Sequence, residues 1–155
     1  MNPSAASFLL ACDHKGLKYP SPRVGSGGET LVSLGVRDPH GFHYTVVFIF
    51  YPEGHSAAVR VYRFASVPAH MRSYAVRRCN TLNNRHSWVK FVLDEDGDVN
   101  MEADCIITPE SAGDICMEIF HRFTETAHAA YPLFHAEVWG EGGFSHTLYA
   151  DSIDS

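Results

Sequence analysis

Apolar and polar positions alternate with a period of two in one set of stretches along the chain and recur every three or four residues in another. Thr30 to Val36 places Val32, Leu34 and Val36 on one side, and Ala57 to Phe64 sets Val59 and Val61 against Arg60, Tyr62 and Phe64. Phe42 to Tyr51, between them, is apolar on both sides, with Phe42, Tyr44, Val46, Phe48 and Phe50 opposite Val47, Ile49 and Tyr51. A strand of that kind needs cover on both faces, from its own chain or from a partner. Turns at Asp38-Pro39-His40-Gly41 and Pro52-Glu53-Gly54 fold these three strands into an antiparallel meander. Further on, Val89, Phe91 and Leu93, then Val99, Met101, Ala103, Cys105 and Ile107, form a ribbon with one apolar face. Asp94 to Asp98 supplies its turn, where Gly97 is free to take a positive φ.

Helical spacing accounts for three more segments. Ser4 to Lys15, with Ser4 or Ser7 near its start, groups Phe8, Leu9 and Cys12 before Gly16 stops it, and Tyr19 to Gly28 reads as a Pro- and Gly-rich connection. A second helix opens at Val67-Pro68, carries Met71, Ala75, Cys79 and Leu82 on one face and ends near Asn83-Asn84. The third runs from Pro109 to Tyr131, with Thr108 as its cap and Ile115, Ile119, Phe123 and Ala127 in one stripe, and Pro132 ends it. The predicted fold is α+β: a five-stranded antiparallel sheet, a three-strand meander plus a hairpin, with helices packed on one face. Residues 1–132 form a single domain, and residues 133–155 a C-terminal extension, partly ordered, in which Phe134, Ala136 and Val138 allow a short strand.

Composition narrows the function. With 155 residues, 45% of them hydrophobic and 19% charged, the chain is long enough to bury a core without staples. No apolar run approaches the roughly 18 residues of a membrane span, and no basic stretch precedes the short apolar N-terminus, so a cytoplasmic protein without a membrane partner is expected. Cys12, Cys79, Cys105 and Cys116 lie far apart on apolar faces, which predicts buried thiols rather than a disulfide framework or a zinc cluster. A net charge of -6 argues against nucleic acid as a partner.

Motifs for chemistry are sparse. There is no nucleophile elbow and no catalytic cysteine signature, so no catalytic residue is assigned and neither an enzyme nor a cofactor is expected. The acidic turn fails as a calcium loop because Val92 and Ala103 stand where acidic ligands are required. The chain has ten histidines, and His121, Glu125 and His128 share a helix face at steps of four and three. They are a weak alternative for a metal site where none is otherwise expected. Arg72, Arg77, Arg78 and Arg85 line one side of the second helix and read chiefly as a solvated face. Candidate partner contacts are Phe48, Phe50, Arg77, Arg78 and Trp88, although the aromatic members also suit a core.

The basic helix end RRCNTLNNRH, the strand WVKFVLDEDGDV and the final-helix end AAYPLF together resemble the YbjN family, described as bacterial sensory transduction regulators. That family shares its fold with the type III secretion chaperones, small acidic dimers that bind unfolded segments of other proteins. The resemblance implies a non-enzymatic regulatory module, a homodimer, with a polypeptide partner held through apolar surface. A small-molecule or metal-responsive regulator using surface histidines is the alternative. The extension HAEVWGEGGFSHTLYADSIDS departs from the family pattern.

Overall fold

The structure, a computed structural model, describes residues 1–134. Helix α1 (Pro3–His14) starts where the Asn2 side chain accepts the N–H groups of Ser4 and Ala5, with Pro3 at its first position. Gly16, at φ 71°, closes it. Then come β1 (Arg23–Val24), β2 (Thr30–Arg37), β3 (His43–Phe50) and β4 (Ser56–Ser66). A 3-10 turn (Ala69–Met71) leads into α2 (Arg72–Arg85), followed by β5 (Lys90–Leu93), β6 (Asp98–Ile106) and α3 (Ala112–Pro132).

The strands form one antiparallel sheet in the order β1-β2-β3-β4-β6-β5, so the hairpin docks its second strand against the end of the meander. The sheet has six strands rather than the expected five. The extra one is the two-residue β1, inside the segment read as a connection, where Arg23 and Val24 pair with Leu31 and Thr30. Among the described residues the helices cover one face only. Phe8 of α1 packs on Phe48 and Phe50, Phe120 of α3 on Phe48, and Phe134, just beyond α3, on Phe64 and Phe91. Gly113 lets α3 approach α1 closely, since a Cβ there would lie 3.2 Å from the Ser7 carbonyl oxygen.

Two local departures from the alternation have clear causes. Three residues of β4, Tyr62 to Phe64, face the single Asn100 of β6, and in this bulge Arg63 takes φ 56°. The bulge turns Phe64 inward, against the expectation that it shares the face of Arg60 and Tyr62. Asn100 secures it by accepting the Arg63 N–H at 3.0 Å and donating to Asp94 at 2.9 Å. The second departure lies at the start of α3. Thr108 to Ser111 form a separate turn closed by the Thr108 and Ser111 hydroxyls, so the helix begins at Ala112 instead of Pro109. The expected strand through Ala136 and Val138 falls outside the described residues.

Candidate functional site

Phe48 and Phe50 sit on the helix-covered face and are fully buried, so they are core residues and not a partner surface. The half-covered side of β3 is the other one, where Val47 and Ile49 lie beside Leu31. Arg60 holds the middle of that open face, donating to Asp104 at 3.0 Å and to the Ala103 carbonyl at 2.9 Å. At its end Ile106 is 89% exposed.

Arg77 and Arg78 lie on α2 with their guanidinium groups over the Tyr74 ring, at 5.6 and 5.9 Å from its centroid. The α2–β5 connection builds a separate setting for Trp88. Asn83 stands in for a strand there, donating to the Phe91 carbonyl at 3.0 Å and accepting the Phe91 N–H at 2.7 Å. Lys90 donates to the carbonyls of Asn83 and His86, both at 2.9 Å, which satisfies the end of α2. Val89 is buried and its N–H bonds the Ser87 carbonyl at 2.8 Å. That three-residue closure leaves Trp88 at φ 74°, the strained left-handed form of the γ-turn. Trp88 is 62% exposed.

A shallow groove of about 430 Å³ runs from Trp88 along α3, with Ile115 and Ile119 on its floor and Asp114, Glu118 and Arg122 at its rim. Glu118 and Arg122 form the i,i+4 pair expected from the sequence, at 3.0 Å. Ile115, read as part of the buried stripe, is only half buried and faces this groove. Arg122 also borders a second, more polar depression with Arg85, His86 and Glu125. His86 is pushed below its usual pKa, first by burial and then by the charges of Arg85 and Lys90.

The proposed triplet of His121, Glu125 and His128 does not converge on a ligand position; His128 instead reaches across to Asp38, 90 residues away in sequence. All four cysteines are free and buried, as expected. Among the described residues, no helix is long and apolar enough to cross a membrane.

With this geometry in hand, comparison with known proteins is informative. No curated protein sequence matches the chain. A crystal structure described as "YbjN, a putative transcription regulator from E. coli" superposes with a TM-score of 0.56 at 12% identity, over 84% of this chain and 93% of that one. At that identity the likeness shows the shared fold. The YbjN profile, described as "Putative bacterial sensory transduction regulator", matches residues 39–136, a span that includes β3, β4, β5 and β6, the Trp88 turn and α3. The chain belongs to the YbjN family.

Proposed function

We propose that this chain is a non-enzymatic regulatory module that holds a polypeptide partner by seating an apolar side chain of that partner against Trp88. The observation that carries the reading is Trp88 itself: an aromatic residue that is 62% exposed and held at φ 74°. A left-handed non-glycine residue costs about 1–2 kcal/mol, and exposing a large aromatic forgoes roughly 2 kcal/mol of burial. Nothing among the described residues returns either cost. A partner would, because Trp with neighbouring Arg is a frequent energetic centre of protein interfaces. Ile115 and Ile119 extend the apolar contact, and Glu118 and Arg122 offer a polar rim.

The test compares two baits in a native lysate, the wild-type chain and Trp88→Ala. A protein retained by the wild type in fixed ratio and lost by a variant with an unchanged melting temperature supports the reading. Retention of the same proteins by both baits overturns it. The family resemblance also implies a homodimer, and the open sheet face, with Ile106 89% exposed beside half-buried Leu31, Val47 and Ile49, suits a second copy. Light scattering of the purified chain is then expected to give twice the monomer mass, and a monomer mass at micromolar concentration rules the dimer out.

A further inference from the structure

The turn between β2 and β3 brings together residues that the groove does not use. Asp38 is 4% exposed, and its carboxylate is aimed by the His40 backbone N–H, which donates to Oδ2 at 2.8 Å. His40 Nδ1 meets the same Oδ2 at 2.6 Å, and His128 Nδ1, from α3, meets Oδ1 at 3.1 Å. The two imidazoles stack with centroids 4.6 Å apart, and the far side of His40 stacks on Tyr131 at 5.3 Å. The ligand atoms of Asp38, His40 and His128 all lie within 4.8 Å of one another, and among the described residues no other group of His, Cys, Asp and Glu does this. Tetrahedral zinc at about 2.0–2.1 Å from its ligands needs donor atoms roughly 3.4 Å apart. Small rotations of two surface imidazoles reach that spacing.

A second observation points into the same corner. Tyr44 is 8% exposed, its ring stacks on Phe42 at 5.3 Å, and its hydroxyl has no hydrogen-bond partner among the described residues. Burial, and then the Asp38 charge, push the Tyr44 phenol well above its ordinary pKa. An orphaned buried hydroxyl is destabilising. A metal-bound water would give it a partner.

We infer that Asp38, His40 and His128 bind one divalent ion of the zinc class, with solvent completing the coordination. Two imidazole nitrogens and one carboxylate oxygen suit zinc and its late first-row neighbours, and disfavour calcium and magnesium, which prefer oxygen. The Asp38 orientation by a backbone N–H and the His40 stacking on Tyr131 are the kind of supporting shell that fixes metal ligands. Binding moves the proton of each histidine from Nδ1 to Nε2, because Nδ1 now faces a carboxylate oxygen and must present a lone pair to the ion. The ion would tie the β2–β3 turn to α3, whose Ile115, Ile119 and Arg122 line the Trp88 groove. The inference stands apart from the partner reading, since its test needs no partner.

The experiment titrates the full-length chain, freed of any histidine tag, with zinc by calorimetry and with cobalt(II) by visible absorption. The expected result is one ion per chain and a rise in melting temperature on zinc addition. Affinity should fall more than ~10-fold in His128→Ala and in His40→Ala, while His121→Ala binds as the wild type does. His128 is 52% exposed, so its removal leaves the core intact. No saturable binding, or equal binding by His128→Ala, would overturn the assignment and leave the cluster a hydrogen-bonded brace between turn and helix.

Discussion

Phe48→Ala is expected to lower the unfolding free energy by about 3–5 kcal/mol, the range for truncating a buried phenylalanine. The Phe48 ring lies 4.3 Å from that of Phe8 and 6.3 Å from that of Phe120, so it joins the sheet to both α1 and α3. Cutting it to a methyl leaves a void walled by three elements that cannot all close on it. Domains of this size hold about 5–15 kcal/mol in total, so the variant sits near the edge of folding. Urea denaturation measures it directly. Were Phe48 a surface contact for a partner, the same change would cost within about 0.5 kcal/mol, and an unmoved midpoint would mean the sheet is facing the other way. Phe48→Leu, which keeps most of the volume, is expected to cost less than about 1.5 kcal/mol.

Asn100→Leu is the second large effect, at about 2–3 kcal/mol. The side chain is buried, has the same number of heavy atoms as leucine, and makes two bonds that leucine cannot. Losing the first leaves the Arg63 N–H unpaired inside a left-handed bulge, at about 1–3 kcal/mol. Losing the second removes one donor from the Asp94 carboxylate, which also accepts the N–H groups of Asp96 at 2.9 Å and Asp98 at 3.0 Å. The Asp98 N–H foremost, joined by Asn100 and the Asp96 N–H, holds Asp94 below the usual carboxylate range against burial, which raises it and ranks second among these effects. A carboxylate depressed in the folded state stabilises the fold above its unfolded pKa of about 3.9 and ceases to as pH falls through its folded value. The wild-type chain should therefore lose hairpin stability as pH falls below about 4, and Asn100→Leu, whose Asp94 has one donor fewer, should lose less over the same window. Denaturant midpoints at pH 7, 5 and 3.5 check both statements. Equal midpoints for wild type and variant throughout would refute the role of Asn100.

What the sequence made legible was whatever a local signal determines. The meander and hairpin followed from period-two alternation and from Gly97, which takes φ 86° in the turn. The buried face of α2 followed from Ala75, Cys79 and Leu82 at helical spacing. Features that depend on one strand's partner were hidden. Phe64 turns inward only because β4 carries extra residues opposite Asn100, and no pattern within β4 announces it. In the sequence Phe48 and Phe50 suit either a core or a partner contact, because β3 is apolar on both sides and the alternation cannot say which side the helices take. Their neighbours Val47 and Ile49 are the half-open ones. Trp88 is a candidate contact in the sequence, but its exposed γ-turn is visible only with the Asn83 and Lys90 bonds that flank it. In the sequence His128 shares a helix face with His121 and Glu125, whereas the structure sets it beside Asp38 and His40. Its i,i+3 and i,i+7 neighbours are visible in sequence, whereas Asp38 and His40 meet it only through the docking of α3 on the β2–β3 turn.

The central claim is that Trp88 is kept in an unfavourable backbone at the surface for the sake of a partner. Trp88→Gly tests it most directly, read by unfolding free energy and lysate retention on the same preparation. Glycine removes the left-handed cost of about 1–2 kcal/mol and adds roughly 0.5–1 kcal/mol of unfolded-state entropy, so the account predicts a chain as stable as the wild type or slightly more so. The same chain should no longer retain the partner. A variant that still retains the partner, or one that loses several kcal/mol of stability, would contradict the account, the first by making the ring dispensable for binding and the second by making it structural.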